Sequence, residues 1–221
     1  MKVVRLGQAG LLFDDGTAKI LIDPWFTDSA FEASGVHRKK EAPAWVWDIK
    51  PDIILITHCH IDHYDPETFE HYVNQNTAVT VLSPRSVWEK ARLTGGGNNF
   101  VLVSPGVVWT QKGVTVVTEY AKHSDDYAVG YTVTMDGKRL YVTGDTLYDL
   151  RLSATGPVDY VFLPVNGRGN NMNAADAAKL AKDVGAKHAV PVHYGMLDDV
   201  SPDIFEYDGK TVFEDFKEYD I

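Results

Sequence analysis

The sequence predicts an α/β fold in which two β-sheets stack face to face with helices on their outer sides, a four-layer αββα sandwich. Two observations lead there. Short apolar, β-branched runs recur along the whole chain, bounded by Gly, Pro, Asn and Asp, and they are too brief for helices. Their order is equally informative: hairpin-like pairs are followed by a strand–helix–strand unit, then more hairpins, then a second strand–helix–strand unit. Each such unit lays a helix on one face of a sheet, so one unit per sheet leaves the sheets to pack on each other.

Taken in order, the predicted strands are residues 3–6, 11–13, 18–22, 53–57, 79–82, 114–119, 129–135, 139–143, 158–164 and 188–192. The second and third form a hairpin across Asp14, Asp15 and Gly16. Helical patterns cover 66–74, 86–92, 173–184 and 201–206. Asn173 stands as an N-cap with Asp176 where a capping box has its acid, and Gly185 closes that helix. The glycine-rich stretch 94–99 reads as a surface loop rather than a linker, and no repeat of fixed period is present. At 221 residues, one domain spanning 1–221 is expected.

Composition narrows the function. The 44% hydrophobic and 24% charged fractions are those of a soluble globular chain, and no apolar stretch approaches the length of a membrane span. Acids stand where a signal peptide would carry its apolar core, and the lone Cys59 excludes an internal disulfide; both point to the cytoplasm. A net charge of −10, with one short basic cluster at 37–40, disfavours nucleic acid and favours a small-molecule substrate. Oligomeric state stays open. The aromatic-rich stretch 42–47 and the acidic tail from Tyr207 are suited to a homo-oligomer contact, to the pocket or to the core.

The most informative segment is Thr57-His58-Cys59-His60-Ile61-Asp62-His63, which a buried strand runs straight into. Three imidazoles and a carboxylate at this density contribute little packing, and each needs a partner when buried. Neutral imidazole and carboxylate hold divalent zinc, manganese or iron when they converge on one point. A loop leaving a strand end can aim alternate residues at one ion and the remaining two at a second. Later in the chain, His123, Asp145 and His193 each follow a predicted strand.

This segment is similar to the His-x-His-x-Asp-His signature of the metallo-β-lactamase superfamily, and His123, Asp145, His193 and the earlier Asp23 match that family's other landmarks in order. The resemblance implies a two-metal site, with His58, His60 and His123 on one ion, Asp62, His63 and His193 on the other, and Asp145 bridging. It further implies two divalent ions, zinc or manganese first and iron as the third choice. A hydroxide between them would be the nucleophile, with Asp62 orienting it or passing a proton to the leaving group. Asp23 would fix a ligand histidine by hydrogen bonding.

Within the superfamily, four stretches resemble the branch that contains ascorbate-6-phosphate lactonase: Gly7-Gln8-Ala9-Gly10, residues 23–29, residues 62–66, and Val165-Asn166-Gly167-Arg168 followed by Asn171-Met172. The substrate implied is a small-molecule ester or lactone, phosphorylated or otherwise anionic. Arg168 would grip the anionic group through its guanidinium fork, with Asn166 and Asn171 adding hydrogen bonds and Tyr194 donating to the oxyanion. Two other reactions suit the same ligands: hydrolysis of a small phosphodiester and iron-dependent oxidation of a sulfur substrate. Cys59, His37, His71 and His188 carry no motif and are read as packing or solvent-facing residues.

Overall fold

In the computed structural model, which describes residues 1–29, 37–75 and 78–221, two mixed sheets carry the fold. The strands of the first are β1 (Lys2–Arg5), β2 (Leu11–Asp14), β3 (Lys19–Ile22), β4 (Ile53–Leu55), β5 (Thr80–Ser83), β6 (Asn99–Leu102) and, from the far end of the chain, β13 (Glu218–Asp220). The second contains β7 (Val108–Gln111), β8 (Val114–Tyr120), β9 (Val129–Met135), β10 (Lys138–Val142), β11 (Tyr160–Pro164) and β12 (His188–Val192). The spatial orders are β13-β1-β2-β3-β4-β5-β6 and β12-β11-β10-β9-β8-β7. Pairing is antiparallel where hairpins connect the strands and parallel through β3 to β6 and β10 to β12. The parallel parts are where the connections are long.

Side-chain alternation makes the layers. Val3, Leu11, Phe13, Ile20, Ile22, Ile53, Leu55 and Leu82 from the first sheet meet Val116, Tyr131, Val133, Leu140, Phe162 and Val190 from the second in the central core. Their neighbours point outward. Val4, Leu12, Leu21, Ile54 and Val81 pack under α1 (Pro66–Gln75), α2 (Arg85–Ala91) and the 3₁₀ turn Ala44–Asp48. Tyr141, Val161, Leu163 and Ala189 pack under α3 (Ala174–Asp183) and the turn Leu150–Thr155. Both faces of the central strands are therefore buried, which is why those strands read as near-continuous apolar runs. The result is the four-layer αββα sandwich.

The local signals behave as their chemistry dictates. Asn173 accepts from the Asp176 amide at 2.9 Å and starts α3, and Gly185 at φ 59° ends it. The predicted strand 53–57 stops at Leu55, because the Thr57 amide leaves the ladder to donate to Asp23. The helix expected over 201–206 is reduced to one 3₁₀ turn at Pro202–Ile204. Three strands were not predicted, β6, β7 and β13; all are short sheet-edge strands with half-exposed patterns. The tail finishes the core: Phe213 is buried between the sheets and β13 pairs with β1. No helix among the described residues is long and apolar enough to cross a membrane.

A buried ion pair fastens that tail. The Arg5 guanidinium, 2% exposed, donates to Asp215 Oδ1 at 2.5 Å and to the Tyr194 carbonyl at 2.9 Å, and it lies 3.9 Å from the centroid of the Tyr194 ring. Removing one partner of such a pair strands the other charge. Asp215→Ala is expected to lower unfolding stability by about 3–5 kcal/mol, read from the urea midpoint at constant slope. An unchanged midpoint would show that Lys40, the carboxylate's other partner at 2.7 Å, and Arg5 are satisfied without it.

Candidate metal centre

β1, β3 and β4 run in one direction in the first sheet, and β8, β10 and β12 run in one direction in the second. Their C-terminal ends meet at one edge of the sandwich. From those ends come Gln8, Asp23, the 58–63 segment, His123, Asp145 and His193. The site is a consequence of topology: residues far apart in sequence leave the sheets at one place.

The donor atoms form two groups, His58, His60, His123 and Asp145 in one, Asp62, His63 and His193 in the other, each with its atoms within 4.8 Å of one another. His60 Nδ1 lies 3.0 Å from His58 Nε2 and 3.1 Å from His123 Nε2. In the second group, His193 Nε2 lies 3.2 Å from Asp62 Oδ2. Asp145 faces both. Its Oδ2 is 3.1 Å from His193 Nε2 and 4.0 Å from His58 Nε2, while Oδ1 is 3.2 Å from His63 Nε2.

Two buried atoms test whether metal ions fit. His63 Nε2 and Asp145 Oδ1 are shielded from solvent and lie 3.2 Å apart, yet neither has a partner in hydrogen-bond geometry. Buried polar atoms are rarely left so, because an unmade hydrogen bond costs about 1–3 kcal/mol. A cation between them satisfies both, and imidazole with carboxylate is a donor set for zinc, manganese or iron. The residues fit.

Charge is distributed unequally. Burial and the neighbouring His63 hold the His58 imidazole well below its ordinary pKa. Burial also lowers His63 and His193, but the Asp145 and Asp62 carboxylates reverse this, raising His63 well above the usual range and His193 to about 9. Burial opposes ionisation of Asp62 and Asp145 too, and the same two histidines more than offset it, so both carboxyls are lowered.

The candidate ligands are oriented from outside. Asp23, 1% exposed, accepts from the Thr57 amide at 2.8 Å, from the Thr57 hydroxyl at 2.6 Å, and from His63 Nδ1 at 2.8 Å. Thr57 Oγ1 is in turn 3.0 Å from His58 Nδ1. One carboxylate therefore aligns a histidine of each group, leaving each Nε2 for a ligand bond. The loop after β11 serves three more ligands: Asn166 Nδ2 is 3.1 Å from His193 Nδ1, the Asn170 carbonyl is 3.3 Å from His123 Nδ1, and Asn171 Nδ2 donates to Asp145 Oδ2 at 2.8 Å. Gln8, Asp23 and His193 all sit at positive φ, 45°, 43° and 57°. Such non-glycine backbone costs on the order of 1 kcal/mol or more per residue and clusters at functional sites.

The profile described as "Beta-lactamase superfamily domain" matches residues 2–193. A UPF0173 metal-dependent hydrolase of Carboxydothermus hydrogenoformans is 30% identical over 226 residues, covering 95% of this chain and 92% of its own. The chain belongs to the metallo-β-lactamase superfamily. Solved structures show the same fold. A metallo hydrolase of the archaeon Ignicoccus hospitalis superposes with TM-score 0.76 at 20% identity over 100% of this chain and 98% of its own. The isothiocyanate hydrolase from Delia radicum gut bacteria gives 0.78 at 18%, over 100% and 99%.

For this metallo-β-lactamase superfamily member, the structure rearranges the expected substrate contacts. Asn171 is buried with both ends of its amide engaged, donating to Asp145 and accepting from the Thr146 amide at 3.1 Å, so its amide is committed within the site rather than turned to the pocket. Tyr194 is not brought to the donors: its ring is buried against Arg5 and the outer core, on the opposite side of the chain from His193. Asn166 and Arg168 do line a pocket of about 200 Å³ beside the centre, with Gln8, His193, Leu197 and Asp198. Cys59 packs half-buried against the outer core, its amide donating to Asp125 at 3.1 Å. His71 bonds the Trp47 carbonyl at 2.7 Å, His188 stacks on Tyr160, and His37 faces Asp28. Gln8 was not singled out from sequence. Its signal was the glycine-flanked turn Gly7-Gln8-Ala9-Gly10, which closes with a Gly10 amide bond to Gly7 at 2.9 Å.

Replacing Asp23 by Asn keeps the shape but removes the charge that three donors share. Asp23→Asn is expected to weaken metal binding about 10–100-fold, read by chelator competition. Unaltered retention would mean that Asp23 only shapes the β3–β4 junction.

Proposed function

We propose that this member of the superfamily's metal-dependent hydrolases opens a small-molecule ester or lactone at a centre of two divalent ions, zinc or manganese. The observation that supports it most is the Asp145 carboxylate, placed between two ligand groups, with Oδ1 toward His63 and Oδ2 toward both His193 and His58. In this reading His58, His60 and His123 hold one ion, Asp62, His63 and His193 the other, and Asp145 is shared. The chemistry such ions supply is a water acidic enough to ionise near neutral pH and a polarised carbonyl.

The remaining work falls to the chain's own side chains. Asp62 is the partly exposed carboxylate of the set, 14% accessible, so its oxygen is the one positioned to pass a proton to the departing alkoxide. Asn171 and Asp23 keep Asp145 and His63 in place while charge builds during attack. Arg168, on the glycine-flanked turn at the pocket rim, donates no side-chain hydrogen bond among the described residues and is offered to a carboxylate or phosphate on the substrate. The narrow pocket suits such a group better than a polymer.

Protein purified without chelators should carry close to two metal equivalents per chain by elemental mass spectrometry, and Asp145→Ala clearly fewer. One equivalent of iron alone would move the reading to oxidation. No metal, even after reconstitution with zinc or manganese, would sink it. With metal restored, lactones and aryl esters in neutral and carboxylated forms can be compared. Arg168→Gln should raise KM for the carboxylated forms about 10–100-fold, the equivalent of one hydrogen bond to a charged group, and leave neutral ones unchanged. Equal effects on both would remove Arg168 from the pocket's chemistry.

A further inference from the structure

Gln8, Asp23, Thr57 and Asn171 are buried polar side chains at the site that belong to neither ligand group, and Gln8 is the one that contacts Asp62. Gln8 is 3% exposed and sits at the left-handed corner of the turn that follows β1. Its conformation is enforced on both sides: the Leu6 amide bonds the Gly10 carbonyl at 2.7 Å, and a Cβ at Gly7 would lie 2.4 Å from the Met196 side chain. From this fixed position Gln8 Nε2 donates to Asp62 Oδ2 at 2.8 Å and lies 3.2 Å from His193 Nε2. The Gln8 carbonyl also accepts from the His193 amide at 2.8 Å. Its described hydrogen bonds touch none of His58, His60, His123 or Asp145. All of its reach is toward one half of the centre.

We propose that Gln8 is a positioning residue that sets the metal affinity of the Asp62, His63 and His193 half independently of the other half. The reasoning is chemical. An ionised carboxylate only accepts hydrogen bonds, and an amide nitrogen only donates, so the Gln8 contact holds Asp62 as a carboxylate in one orientation. Asp62 is also the most exposed ligand of that half, 14% against 8% for His193 and 0% for His63, and therefore the one with most freedom to turn away. His63 is held by Asp23 and His193 by Asn166; Asp62 is held by Gln8. The inference rests on the two-ion reading above.

The test is a zinc titration by calorimetry with chelator competition on wild type, Gln8→Met, Gln8→Asn and Asp62→Asn. Gln8→Met preserves length without a donor. Gln8→Asn is the variant most tolerant of positive φ, and its shorter side chain withdraws the amide from Asp62. Wild type should bind two equivalents. Both Gln8 variants should bind one of them normally and the other about 10–100-fold more weakly, with thermal melting of the metal-free forms unchanged. In the Asp62→Asn background, Gln8→Met should change nothing further. Wild-type affinity for both ions in both variants, or equal weakening of both ions, overturns the proposal. A wild-type protein that binds a single equivalent overturns the two-ion reading, and this inference with it.

Discussion

The buried Asp23 carboxylate is the interaction on which the rest of the centre depends. A charge taken fully out of water survives only if donors surround it, and here the donors come from what must be aligned: the Thr57 amide and hydroxyl and His63 Nδ1. Satisfying Asp23 ends β4 two residues early and turns the chain into the 58–63 loop. It also gives His63, and His58 by way of Thr57, the ring orientation that leaves Nε2 facing inward. One constraint thus fixes a strand boundary and two ligands. Moving Asp23 would cost fold and site together.

The sandwich explains why so few residues are needed. Its central core is made of side chains from both sheets, so the two sheets cannot slide without disturbing close packing. Strand ends are therefore rigid mounts. The 58–63 segment is carried by the first sheet, and His123, Asp145 and His193 by the second. The small loop after β11 then trims three ligands at once through Asn166, Asn170 and Asn171. Positive φ at Gln8, Asp23 and His193 is the backbone cost of turning each chain segment sharply at its strand end.

What the sequence disclosed follows from how local each signal is. The 58–63 cluster was legible because its ligands are adjacent, and the fold class because apolar runs and their order survive small errors in boundary. Edge strands β6, β7 and β13 were not legible, since half-exposed strands lack the apolar continuity that marks buried ones. Side-chain direction was the other blind spot. Asn171 was assigned to substrate and Tyr194 to an oxyanion by proximity to other site residues, yet Asn171 turns inward to Asp145 and Tyr194 lies across the chain from its neighbour His193. Gln8 meets Asp62 across 54 residues, a contact that only the sheet order creates.

The division of ligands between sheets has a further physical consequence. Each ligand group draws on both sheets: His58 and His60 with His123 and Asp145 in one, Asp62 and His63 with His193 in the other. A cation in either group would therefore join the two sheets at the edge where their strands end and where the central core gives way to polar side chains. At that edge the Asp145 and Asp62 carboxylates face His63 and His193 and raise their pKa values, so a proton and a cation would compete for the same nitrogens. Asp145 stands at the centre of that competition, with Oδ1 toward His63 and Oδ2 toward both His193 and His58.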